Sequence, residues 1–118
     1  VCRTRKRKVE IFCEGESMSV PVQAISYAES QGHEQCLYMI GWSKEKLYTR
    51  LTMAQLEELL FPQGFLRIHK QYLVNMTYLQ SLQSTGAVLT TGKSLKASAR
   101  NYRENQKKFV NWKAQQLW

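Results

Sequence analysis

Phe65-Leu66-Arg67-Ile68-His69-Lys70-Gln71-Tyr72-Leu73-Val74-Asn75 is the stretch on which the fold turns. Over Phe65–His69 the period is two. Phe65, Leu66 and Ile68 are expected to face away from Arg67 and His69, as in a strand with one buried side. His69 is expected to lie inside that strand and to satisfy a buried backbone group. Just upstream the period changes. Thr52-Met53-Ala54-Gln55 reads as a capping box, with Thr52 as N-cap and Gln55 returning to the cap N–H. Met53, Leu56, Leu59 and Leu60 then recur at helical spacing until Pro62 and Gly64 stop the helix.

Working outward, period two governs most of the chain. Val9, Ile11 and Cys13, then Met18, Val20 and Val22, form an expected hairpin turning at Gly15, and Pro21 puts its second strand at a sheet edge. Ile25–Ser30, Cys36–Gly41, Glu45–Leu51, Ala87–Thr90 and Ser94–Ala97 read as further strands, while Tyr72–Val74 and Tyr78–Ser84 carry a less distinct pattern. After Ser98, read as an N-cap, residues 99–118 lack Gly and Pro and carry a thin apolar stripe of Tyr102, Phe109, Val110 and Leu117. The expected class is mainly β, with one short capped helix and a C-terminal helix. The expected division is a basic arm at 1–8, a folded domain at 9–104 and a helical tail at 105–118.

Seventeen Lys and Arg against nine acids, all Glu, give the 118 residues a net charge of +8. The cations are unevenly placed. Five lie in the first eight positions, and seven (Lys93, Lys96, Arg100, Arg103, Lys107, Lys108 and Lys113) lie after Thr91. The segment between holds five cations and eight Glu. Lys93–Arg103 spans a turn, a strand and a helix start, so its cations and free N–H groups are expected to converge as a phosphate-tracking surface requires. A polyanionic partner follows from that placement.

Catalysis finds little support: there is no Asp, no GxSxG, no HExxH and no Gly-rich loop between strand and helix. Glu57 and Glu58 are helix neighbours that point to different faces, which suits a solvated surface better than an acid–base pair. Cys2, Cys13 and Cys36 make neither a CxxC pair nor a zinc spacing with His33 and His69. Three reduced thiols in a cytoplasmic protein, with no metal and no cofactor, is the expectation. No apolar run spans a bilayer.

The Phe65–Asn75 stretch resembles the signature of the LytTR DNA-binding domain, roughly F-x-R-x-H-[RK]-S-[YF]-[IL]-V-N. Ile25-Ser26-Tyr27-Ala28-Glu29-Ser30 with His33 resembles the family's I-x-Y-x-E-S…H segment. Tyr48–Thr52 with Leu56–Leu60 resembles its strand into helix. Gly92–Tyr102 resembles its closing G-x-x-L-x-x-S-R-x-[YF] segment. Blocks from Val9 to Tyr102 agree in order, with Gln71 where Ser is usual and Ala99 intervening between Ser98 and Arg100.

The resemblance implies a β-β-β fold of small stacked antiparallel sheets and no catalytic activity. It implies an output domain of a bacterial two-component transcription regulator, C-terminal to a phospho-receiver domain and controlling quorum-sensing, bacteriocin or virulence genes. Such domains insert loops into successive major grooves of promoter direct repeats, an arrangement compatible with a dimer on DNA. Carried onto this chain, base reading falls to His33, Lys70 and Arg100, and backbone anchoring to Lys93, Lys96, Ser98 and Arg103. Arginine offers guanine a bidentate fork, whereas Lys70 is a point charge better suited to phosphate. Two other readings fit the composition: a β-rich RNA or single-strand-binding module, and a protein-interaction domain whose charge serves solubility.

Overall fold

Residues 8–116 are described by the computed structural model of the chain. The basic arm expected at 1–8 therefore lies outside them except for Lys8, as do Leu117 and Trp118. The strands are β1 (Lys8–Cys13), β2 (Glu16–Pro21), β3 (Ile25–Gln31), β4 (Glu34–Met39), β5 (Lys46–Thr49), β6 (Phe65–His69), β7 (Tyr72–Asn75), β8 (Leu79–Leu82), β9 (Gly86–Leu89) and β10 (Ser94–Lys96). The helices are α1 (Met53–Leu60) and α2 (Tyr102–Gln116).

All strand pairs are antiparallel. Seven strands form one sheet in the order β2-β1-β5-β4-β3-β7-β6, and three form a second in the order β10-β9-β8. The β1–β2 hairpin turns at Glu14-Gly15, both at positive φ, and places β2 at the sheet edge, where Pro21 loses no ladder partner. A single pair, Cys13↔Thr49, joins the hairpin to β5, reinforced by the Thr49 hydroxyl donating to the Phe12 carbonyl at 2.7 Å.

Two cores lie on opposite faces of the β3-β7-β6 part of the large sheet. One gathers Ile11, Val20, Leu37, Leu47, Phe65 and Leu73 under Leu56 and Leu60 of α1. The other joins Leu66, Ile68 and Val74 to Leu79, Leu89 and Leu95 of the small sheet and to Phe109 of α2. Phe65 thus faces opposite to Leu66 and Ile68, not with them as the sequence suggests. Both faces of β6 are covered, so the inside–outside alternation that locates a half-buried strand is lost. The same double covering blurs the pattern of Tyr72–Val74.

The capping box of α1 is present, with the Gln55 N–H donating to Thr52 Oγ1 at 3.1 Å and the Thr52 N–H donating to Gln55 Oε1 at 2.9 Å. Past the helix, Gly64 turns the chain at φ +99°, and a Cβ there would stand 3.0 Å from the Trp112 indole nitrogen. The position needs Gly for its backbone and for the ring pressed on it.

The C-terminal helix begins later than expected. The Asn105 N–H donates to the Asn101 carbonyl at 2.9 Å, so Asn101 opens the helix. Ser98, whose N–H donates to the Ile68 carbonyl at 2.7 Å, stands three residues before Asn101 and is not its cap. The buried side of α2 runs through Tyr102, Asn105, Phe109 and Trp112, while Val110 is 56% exposed. The stripe thus turns on one polar residue. Asn105 is buried because its Nδ2 donates to the Arg67 carbonyl, at 3.2 Å, on the edge strand β6. The helix runs through residues 104 and 105 without interruption.

Candidate nucleic-acid interface

Two backbone hydrogen bonds bring three turns together. The Ser30 N–H donates to the Gln71 carbonyl at 2.9 Å, tying the end of β3 to the β6–β7 turn. The Ser98 N–H donates to the Ile68 carbonyl, tying the segment before α2 to the end of β6. The β3–β4 turn with His33, the β6–β7 turn with Lys70 and the 97–101 segment with Arg100 therefore share one end of the large sheet. His33, Lys70 and Arg100 are all exposed.

A cleft of about 640 Å³ runs between the second and third turns, with Arg67, His69, Lys70, Arg100, Asn105 and Lys108 among its walls. Arg67 organises one wall. Its Nη1 lies 3.3 Å from Glu57 Oε1 of α1 and its Nη2 donates to the Lys70 carbonyl at 3.0 Å. One guanidinium thus holds the β6–β7 turn against α1, a two-partner task that suits the planar fork. His69 closes β6 rather than lying within it. It is half-buried, and its Nδ1 accepts the Gln71 N–H at 3.1 Å, which tightens the same turn.

On the face of the sheet that packs against the small sheet and α2, the turns rest on aromatic rings. Tyr27 stacks on Tyr38 with centroids 4.5 Å apart and meets Tyr72 edge-on at 6.3 Å. Glu29 accepts from both the Tyr38 and the Tyr72 hydroxyls. Burial, and after it the Glu29 charge, pushes the Tyr27 hydroxyl up to about 12. Tyr38 and Tyr72 are raised by burial together with Glu29. The Tyr38 and Tyr72 hydroxyls stay protonated and donate to Glu29.

The residues expected to anchor the DNA backbone do not all converge. Ser98 is half-buried at the cleft, and Arg103 is exposed on the first turn of α2. Lys96 is exposed on β10 opposite Gly86. Lys93 lies apart. Its carbonyl accepts the Leu89 N–H, and the Thr90 N–H in the same turn bonds the Tyr78 carbonyl at 2.7 Å. Tyr78 in turn donates its hydroxyl to the Gln23 carbonyl, so this turn stands at the other end of the sheet from Lys70. The short strand β10 separates Lys93 from Ser98, and of the expected cationic segment the cleft gathers Ser98 and Arg100. Sequence reading missed Arg67, Glu29, Tyr72 and Asn105. Arg67, Glu29 and Tyr72 had one visible signal, their places in the motif blocks, which mark a position without its partner. Asn105 had none, because its partner is distant in sequence.

The model of the LytTr DNA-binding domain family matches residues 3–109. The chain belongs to the LytTR family. This is a family of DNA-binding domains, not of enzymes. Among solved structures, the chain is similar to the LytTr DNA-binding domain of a Bacillus cereus protein described as a methyl-accepting/DNA response regulator. The two share 18% identity with a TM-score of 0.68, over 90% of this chain and 98% of that one. That likeness carries the LytTR fold, with its antiparallel sheets and two helices. Comparison with the curated proteins finds no match. Among the described residues no helix is long and apolar enough to cross a membrane, and no group of three or more His, Cys, Asp or Glu is placed to hold a metal ion.

Proposed function

We propose that this LytTR domain reads double-stranded promoter DNA by sequence. In this reading His33, Lys70 and Arg100 enter successive major grooves of direct repeats, while Lys96, Ser98, Arg103 and the more distant Lys93 hold phosphates. The domain is the output module of a cytoplasmic bacterial response regulator with a phospho-receiver domain upstream, and two copies meet on adjacent repeats. Quorum-sensing or virulence genes fall within this reading.

The observation that carries it is the pair of backbone bonds, Ser30 to Gln71 and Ser98 to Ile68. They lock three exposed donor-bearing turns side by side, as groove reading by loops requires. A single-strand module is less well supported. It needs aromatic faces free to stack on bases, whereas at these turns Tyr27 is buried and Tyr38 lays its face on the Tyr27 ring.

The experiment compares a duplex enriched from a randomised library with a shuffled duplex of the same composition. Arg100→Ala is expected to cost roughly 1–3 kcal/mol on the enriched duplex and little on the shuffled one. Lys93→Ala should weaken both equally and lower the salt slope by about one ion. Equal losses on both duplexes for Arg100→Ala would remove base reading from that residue. Preference for single-stranded or 2′-hydroxyl-bearing probes over duplex would overturn the proposal.

A further inference from the structure

Glu29 is a carboxylate at the end of the sheet that carries His33, Lys70 and Arg100. By charge alone it opposes phosphate binding, yet it is held by three donors. Its Oε1 accepts from the Tyr38 hydroxyl at 2.9 Å and from Gln31 Nε2 at 3.3 Å, and its Oε2 accepts from the Tyr72 hydroxyl at 3.3 Å. Gln31 Nε2 also reaches the Tyr38 hydroxyl at 3.1 Å.

The donors come from different strands. Glu29 is paired with Cys36 on β4 and with Tyr72 on β7, so Tyr38 and Tyr72 reach it from either side. Each leads to a turn. Gln31 ends β3, two residues before His33. Tyr72 opens β7 directly after Lys70 and Gln71, and its ring lies 5.7 Å from the ring of His69. The Ser30–Gln71 backbone bond joins the same two turns one residue further on.

We propose that Glu29 is a positioning residue for base reading. It binds no DNA. It draws Tyr38, Tyr72 and Gln31 onto one carboxylate and so sets the spacing between the His33 turn and the Lys70 turn. The inference rests on the DNA-reading function proposed above. Groups that read bases must be held to within a fraction of an ångström, and a shell of hydrogen bonds behind them does this.

The test uses the whole chain, with the enriched and shuffled duplexes as probes and backbone amide spectra of the free protein read in parallel. Glu29→Ala is expected to lower affinity for the enriched duplex about tenfold, the worth of roughly one bidentate base contact. Affinity for the shuffled duplex should hold or rise, because a negative charge has gone. Glu29→Gln removes the same charge but keeps an oxygen for Tyr38 and Gln31, and should recover most of the loss. The Tyr38→Phe, Tyr72→Phe double variant changes no charge and should copy Glu29→Ala. In the free protein the amides of His33, Lys70 and Gln71 should move in Glu29→Ala and in the double variant, and stay close to wild type in Glu29→Gln.

Equal affinities for Glu29→Ala and Glu29→Gln would show that charge alone matters and overturn the proposal. So would unmoved amides at the two turns. Should Glu29→Ala fail to fold, Glu29→Gln and the tyrosine double variant decide the matter by the same criteria. If the wild-type chain enriches no duplex, the DNA-reading function falls, and the amide spectra alone decide whether Glu29 sets the turns.

Discussion

Replacing Arg67 with Met separates the stability of the domain from its reading of DNA. Arg67 makes two side-chain contacts with different environments. The ion pair to Glu57, at 3.3 Å, is partly open to solvent, with the two side chains 30% and 38% exposed. Such a pair contributes only about 0.5 kcal/mol. The hydrogen bond to the Lys70 carbonyl, at 3.0 Å, adds about 1 kcal/mol net. Methionine keeps the apolar stem of the side chain, so little packing is lost. The expected destabilisation is therefore about 1.5 kcal/mol, or a fall in melting temperature of roughly 5 °C for a domain of this size. The Glu57 share should shrink as salt is raised.

The effect on recognition should be the larger one, because Arg67 holds the turn that presents Lys70. Affinity for the enriched duplex is expected to fall about tenfold, the scale of one misplaced base contact, with the shuffled duplex less affected. Urea denaturation and duplex titration of one preparation measure both quantities. A stability loss above about 3 kcal/mol would make Arg67 a core residue. An unchanged preference for the enriched duplex would refute the tether argument.

Gly64→Ala should destabilise by roughly 1–3 kcal/mol, combining the left-handed backbone cost with displacement of the Trp112 ring. Calorimetry together with Trp fluorescence would detect both, and a neutral result would contradict the contact. Alkaline pH should weaken the fold. Burial raises the Cys13 thiol from 9.0 to about 11 and the Tyr27 hydroxyl from 10.0 to about 12. Both groups therefore release their protons more readily in the unfolded chain. Their stabilisation is complete below pH 9 and is lost as pH climbs through the folded values. Stability measured at intervals from pH 8 to beyond 11 should fall steadily, and a flat profile would contradict this burial.

Much of the fold is legible in the sequence because local chemistry writes it. The capping box at Thr52–Gln55, the hairpin around Gly15 and the edge position marked by Pro21 each depend on near neighbours. Legibility ends where tertiary contacts override local pattern. Phe65 faces the core opposite to Leu66 because α1 covers one side of β6 while the small sheet and α2 cover the other. The helix expected from Ala99 starts at Tyr102, after a segment that the Ser98 N–H ties to β6. In the candidate interface, motif positions locate His33, Lys70 and Arg100, all of which lie on exposed turns. The partners of the groups behind them are invisible locally. Arg67 to Glu57 crosses ten residues, Glu29 to Tyr72 forty-three and Asn105 to Arg67 thirty-eight.

The proposed function requires three turns, distant in sequence, to form one DNA-reading surface. Titrating the isotopically labelled chain with the enriched duplex, and following every backbone amide, tests it most directly. Residues around His33, Lys70 and Arg100 should shift together at the same duplex concentration, with a smaller response along the exposed side of α2 and little at the β1–β2 hairpin. Strong shifts at the hairpin with the three turns silent would contradict it.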